Sequence, residues 1–187
     1  MIPTTPAEFD SAYRAPFTFW GDFRIPPEID SLVRQDGIAR VLELGCGVGR
    51  FSRHVARLGR RVTAVDFSPV AIAKARVRVK GDADVPDFQV GDVTHLDGID
   101  GPFDASFDVG CFHCLGVDAQ RAYASEMARL LRPGGIHLIW ALDDAPADLA
   151  LDPHIVEQIF AASFEFTRTQ SSRRRLARSH WYWLTRR

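Results

Sequence analysis

Hydrophobic positions fall in short blocks whose spacing alternates along the chain. Residues 40–45 (RVLELG), 61–67 (RVTAVDF), 87–93 (DFQVGDV), 106–112 (SFDVGCF) and 136–142 (IHLIWAL) read as strands. Between them the spacing becomes helical. Phe51, Val55 and Leu58 form a stripe that Gly59 ends, and Ser68 caps a helix with Pro69 at its first position, running to about Val79. Asp118 is expected to cap a helix with Tyr123, Met127, Leu130 and Leu131 on one face, stopping at Arg132-Pro133-Gly134-Gly135. Asp152-Pro153 opens another helix, bearing Ile155, Val156, Ile159 and Phe160. Two final β runs, near 164–169 and 179–185, are joined by Ser171-Ser172-Arg173-Arg174-Arg175. That joint suits an antiparallel hairpin and is too short for a helical crossover. The alternation predicts an α/β fold of seven strands, mostly parallel and covered by helices, whose last pair breaks the parallel pattern.

Composition adds limits. The 187 residues fit a single domain, 1–187, and 46% apolar with 25% charged residues is ordinary for a globular chain. A net charge of -1 gives no global basic field, so nucleic acid is not expected as a partner. The arginines between Arg168 and Arg187 read first as a solvated hairpin. No apolar run is long enough to span a bilayer, and the N-terminus lacks the pattern of a signal peptide. Three cysteines make no disulfide framework, so a cytoplasmic location is expected.

The turn Glu43-Leu44-Gly45-Cys46-Gly47-Val48-Gly49 carries the chemistry. Its glycines allow a tight turn and close approach, and the next helix points free N–H groups toward whatever sits there. Asp66 ends the following strand, at the spacing where an acid reaches a ribose hydroxyl pair. A nicotinamide fingerprint would place glycine three residues after Gly47, where Arg50 stands instead. Glu43 also suits a cationic ligand part, a sulfonium or ammonium, better than a pyrophosphate.

With these motifs in order, residues 38–187 resemble the class I S-adenosylmethionine-dependent methyltransferases. Glu43-x-Gly45-x-Gly47-x-Gly49 is similar to that family's first motif, with Cys46 inside the loop. Asp66-Phe67 resembles the pair that holds the ribose and packs on adenine, and Gly91-Asp92-Val93 the strand end that meets the adenine amino group. Residues 107–113 (FDVGCFH) resemble the fourth strand, whose end, with Cys111 and Phe112, lies beside the methionine part. Leu131-Arg132-Pro133-Gly134-Gly135 resembles the turn before the fifth strand. The resemblance implies a Rossmann-like, doubly wound domain with helices on both faces, strand order 3-2-1-4-5-7-6 and an antiparallel seventh strand. It also implies S-adenosylmethionine as cofactor, S-adenosylhomocysteine as product and in-line methyl transfer to a small-molecule acceptor, a thiol, heterocyclic nitrogen or hydroxyl.

His113 is the candidate catalytic residue. It would orient the acceptor or take its proton; the alternative is a histidine bonded to backbone at a strand end. Cys111 and Cys114 have no second pair, so no metal is expected, and Cys46 and Cys111 read as small buried apolar residues. Residues 1–30 are aromatic, and Phe9 and Tyr13 share a helix face. They either cover the sheet or form a lid over the cofactor, with Trp20 the leading candidate to face the sulfonium. The loop Asp143–Leu151 is the other segment available to shape an acceptor pocket. Two rival readings stay open at this point: a macromolecular acceptor held by the arginine-rich hairpin, and a cofactor-binding module without turnover.

Overall fold

The computed structural model describes residues 5–15, 24–143, 151–174 and 177–187. Among them, seven strands form one sheet in the order β3-β2-β1-β4-β5-β7-β6. The strands are β1 (Arg40–Leu44), β2 (Arg61–Asp66), β3 (Asp87–Val90), β4 (Phe103–Val109), β5 (Leu131–Leu142), β6 (Phe164–Arg174) and β7 (Ala177–Arg186). β1 pairs parallel with β2 and β4, β2 with β3, and β4 with β5. β7 runs antiparallel to both β5 and β6. The helices are α1 (Pro6–Arg14), α2 (Pro27–Val33), α3 (Arg50–Arg57), α4 (Pro69–Arg78), α5 (Val117–Leu130) and α6 (Pro153–Phe160).

Alternation along the strands divides the core into two layers. Leu42, Leu44 and Ile139 pack with Tyr123, Met127 and Leu130 of α5 and Val156 and Phe160 of α6. Val41, Phe107 and Leu138 pack on the other side with residues of α2, α3 and α4. This two-sided burial explains why the central strands are almost continuously apolar. β7 obeys the same rule, with Trp181 in the α2/α3/α4 layer and Tyr182 in the α5/α6 layer. The sheet order places the carboxyl ends of β1, β2 and β4 side by side at the point where the order reverses, the usual position for a ligand.

Several boundaries differ from those the pattern predicts. β4 begins at Phe103 and stops at Val109, because the Asp108 carboxylate accepts from the backbone N–H groups of Cys111 and Phe112 and bends the chain out of the sheet. Gly110 takes φ +97° at this bend, and a 3-10 turn, Phe112–Cys114, follows. β3 ends at Val90, and the Gly91 N–H makes the last bond of its parallel ladder, to the Asp66 carbonyl. α5 is capped by Gly116, whose carbonyl accepts from Gln120 N–H, so Asp118 lies inside the first turn. The predicted turn at 132–135 is a bulge within β5: Leu131 pairs with Phe103 and Ile136 with Ala105, and Gly134 has φ +73°. Ser171 to Arg174 belong to β6 rather than to a joint. Ser68 and Asp152 cap α4 and α6 as expected, through Ala71 N–H and Ile155 N–H. Helix α2, led by Pro26-Pro27, is an element the hydrophobic spacing did not predict.

Candidate functional site

The turn after β1 is built against its neighbours. Gly45, Gly47 and Gly49 all have positive φ, at 64°, 54° and 72°. A β-carbon on Gly45 would lie 2.6 Å from Cys111 Cβ, and one on Gly47 would lie 2.9 Å from the Tyr13 hydroxyl. The close approaches that demand glycine here are therefore made by the protein itself, by the turn after β4 and by helix α1.

Asp66, at the end of β2, locks the turn. Its Oδ2 accepts from Gly47 N–H at 2.8 Å and its Oδ1 from Ser68 N–H at 2.9 Å. Burial raises its pKa, and these two hydrogen bonds oppose the rise. Glu43 lies beneath the turn on the α3 side of the sheet, where its carboxylate accepts from Ser52 Oγ. Burial pushes the Glu43 carboxyl up to about 8, against the pull of the Ser52 hydrogen bonds. A buried acid of this kind favours a cationic neighbour, which would restore its ionised form.

The remaining predicted residues take two kinds of place. Phe67 is 38% exposed and packs edge-on against Phe9 of α1, with ring centroids 5.3 Å apart. Asp92 is exposed, with its Oδ1 accepting from Thr94 N–H and Oγ1. Val93 and Cys46 are buried, and burial raises the Cys46 thiol. Cys111 faces Gly45. The ring of Phe112 points into the α5/α6 layer against Tyr123 and Phe160, leaving only its backbone at the turn. Trp20 lies outside the described residues, as do Phe17, Phe19 and Phe23 and most of the 143–151 loop.

His113 is buried and sits edge-to-face with Trp140 at 6.0 Å. Its Nδ1 accepts from Leu142 N–H at 3.3 Å, which ties the turn after β4 to the end of β5. Burial lowers its pKa to about 4, so the ring is neutral near pH 7. With Nδ1 accepting, the proton is on Nε2 and that nitrogen is a donor.

Sequence reasoning missed Asp10 and Asp108, and it named Tyr13 in the N-terminal segment without its place over Gly47. Helix α1 docks on α4: Ser68 Oγ donates to Asp10 and Lys74 Nζ to the Tyr13 carbonyl. The Thr5/Glu8 capping box that starts α1 was legible, but what α1 docks on was not. Among the described residues no helix is long and apolar enough to cross a membrane.

A family described as "Methyltransferase domain" matches residues 41–135, from β1 through the bulge of β5. The chain is 30% identical over 161 residues to 2-heptyl-1-hydroxyquinolin-4(1H)-one methyltransferase of Mycobacteroides abscessus, covering 80% of this chain and 70% of that protein. It spans 47% of the length of a ubiquinone biosynthesis O-methyltransferase of Xanthomonas oryzae, to which it is 39% identical over 115 residues. Among solved structures, one described under the conversion of a disulfide bond into a thioacetal group during echinomycin biosynthesis is 28% identical, with TM-score 0.82, covering 98% of this chain and 93% of that one. Burkholderia thailandensis 1,6-didemethyltoxoflavin-N1-methyltransferase, solved with 1,6-didemethyltoxoflavin and S-adenosylhomocysteine, is 25% identical, with TM-score 0.80, covering 97% and 86%.

Proposed function

Since the chain belongs to the methyltransferase-domain family and is a class I S-adenosylmethionine-dependent methyltransferase, we propose that its acceptor is a small apolar or aromatic molecule, methylated at the carboxyl ends of β4 and β5. The observation that carries this reading is His113, a neutral imidazole held beside Trp140 at that edge by the Leu142 N–H. The relatives support it: their names specify a hydroxyquinolinone or didemethyltoxoflavin as the object of methylation, or O-methylation in ubiquinone biosynthesis.

S-adenosylmethionine supplies, when bound, a methyl group already activated on a sulfonium. The residues present fit it. Asp66, with lone pairs left beyond its two backbone bonds, would hold the ribose hydroxyls. Phe67, Asp92 and Val93 would border the adenine, and the turn from Gly45 to Gly49 with Cys46, Cys111 and the Phe112 backbone would border the methionine part. Glu43 would supply negative charge beneath it, and Tyr13 would cover it from α1.

The chain's main contribution is alignment. Fixing acceptor, methyl and sulfur in line can remove roughly 7–11 kcal/mol of the barrier. His113 would donate Nε2–H to an acceptor heteroatom and orient it; with Nδ1 already occupied, it is not poised to take a proton.

Two measurements test this. Calorimetry with S-adenosylhomocysteine and NAD side by side should detect only the former. Methyl transfer from labelled S-adenosylmethionine should then be seen with hydroxyquinolinones, quinols or pyrimidotriazines. Cofactor binding with no turnover on any of these rings would overturn the small-ring reading.

A further inference from the structure

Directly below the turn after β4, four polar side chains cross the apolar α5/α6 layer. Ser106 Oγ lies 2.7 Å from His137 Nδ1, His137 Nε2 lies 3.1 Å from the Tyr123 hydroxyl, and that hydroxyl lies 3.1 Å from Asp108 Oδ2. Each of the four is fully buried. Phe160 and Phe164 pack around the His137 ring. Nothing in the methyl-transfer scheme uses this chain, and buried polar groups cost stability unless they are mutually satisfied.

Proton counting gives the chain two directions. A tyrosine hydroxyl has one proton. When Tyr123 donates it to Asp108, it must accept from His137 Nε2–H, and His137 Nδ1 then accepts from Ser106 Oγ–H. Asp108 is in this case ionised, and its donors include Tyr123 O–H, Cys111 N–H at 2.7 Å and Phe112 N–H at 2.8 Å. When Asp108 carries a proton, it donates to Tyr123, Tyr123 donates to His137 Nε2, and His137 donates from Nδ1 toward Ser106, whose backbone carbonyl also faces the ring.

We propose that Tyr123 and His137 are positioning residues: by donating through Tyr123 they hold Asp108 as the anchor of the turn that walls the methyl-donor site. The turn matters because Cys111 abuts Gly45 and His113 reaches Leu142 from it. The inference rests on the site reading above.

Among the described residues, the titratable groups that face Asp108 are Tyr123 from α5 and Cys111 and Cys114 in its own turn, with His137 of β5 reached through Tyr123; Glu43 of β1 acts on it only through its charge, from the other face of the sheet. No cation is among them. Hydrogen-bond donors alone therefore oppose the desolvation that pushes the Asp108 carboxyl up to about 7. Burial keeps His137 uncharged by lowering it to about 3, so the imidazole changes tautomer and not charge.

The test is nitrogen NMR of the histidine rings and carbon NMR of the aspartate carboxyls, with and without S-adenosylhomocysteine, across the neutral range. His137 should be the Nδ1–H tautomer on the acid side and the Nε2–H tautomer on the alkaline side, with the midpoint of the Asp108 carboxyl. Tyr123→Phe should raise that midpoint by about one pH unit, a tenfold change. It should also move the acid limb of S-adenosylhomocysteine affinity by the same amount. Ser106→Ala, which leaves the aromatic packing in place, should raise the midpoint too, so the proposal can be decided even where Tyr123→Phe fails to fold. A single His137 tautomer throughout, or a midpoint unmoved by these substitutions, overturns it. The tautomer is read without ligand, so a failure to bind S-adenosylhomocysteine would count against the site reading and not against the relay.

Discussion

Tyr13 closes over Gly47: a β-carbon on that glycine would lie 2.9 Å from the tyrosine hydroxyl oxygen. The two residues meet because α1 is seated on α4 by Asp10, Phe9 and the Tyr13 carbonyl, through Ser68, Phe67 and Lys74. The N-terminal helix is thus part of the wall of the glycine turn.

Gly47→Ala is expected to cost stability twice. Adopting φ +54° with a β-carbon costs roughly 1–2 kcal/mol, and the contact with Tyr13 must also be relieved. Tyr13→Ala in the same chain should recover the steric part and leave the backbone part. Denaturant unfolding of the two single variants and the double variant measures the coupling. Strict additivity would show that Tyr13 does not rest on Gly47.

Asp66→Asn should weaken S-adenosylhomocysteine binding by about 10–100-fold, the worth of a charged hydrogen-bond acceptor at roughly 1.5–3 kcal/mol. Asparagine keeps one acceptor oxygen, so either Gly47 N–H or Ser68 N–H loses its partner and the turn loosens. Titration calorimetry reads the loss; unchanged affinity would remove Asp66 from the site.

Glu43 predicts a pH dependence of stability with a definite sign. Its carboxyl titrates near 4.5 when unfolded and about 8 when folded. Between those values the unfolded chain releases a proton that the folded chain keeps, so stability falls as pH rises through that window. Below it both forms are protonated and the contribution is intact; above it the loss is complete. Asp108, pushed up to about 7, adds a loss of the same sign. Glu43→Gln should flatten the dependence of Tm on pH across the window, leaving the part due to Asp108. A dependence as steep as the wild type's would show that Glu43 is not the buried proton.

His113→Ala should lower turnover by about tenfold, the value of one hydrogen bond of roughly 1.5 kcal/mol. Because the folded ring titrates at about 4, it should produce no limb in the neutral range of the wild-type rate profile. Initial rates with labelled S-adenosylmethionine across pH check both points. A limb near the ordinary histidine value that disappears on substitution would restore His113 as a base.

Much of the fold was legible because its signals are local. The Ser68 and Asp152 caps, the Gly59 stop and the alternation of Trp181, Tyr182 and Trp183 each depend on a few neighbouring residues. Boundaries failed where a distant partner intervened. Asp108 ended β4 by capturing the next turn, and pairing with β4 drew residues 131–135 into β5.

The glycine turn, the acid at the end of β2, the alternation of strands and helices and, through resemblance, the family and its strand order are all written in the order of the amino acids. What presses on the glycines, the bond already made by His113 Nδ1, and the joining of Ser106, Tyr123 and His137 into one chain to Asp108 emerge with the folded chain. The reason is physical. Turn and helix signals come from backbone sterics and nearby hydrogen bonds, which the local sequence specifies. Contacts such as Tyr13 with Gly47 and Ser106 with His137 arise only once sheet pairing and helix docking bring separated segments together. No local pattern specifies which partner a side chain will then meet.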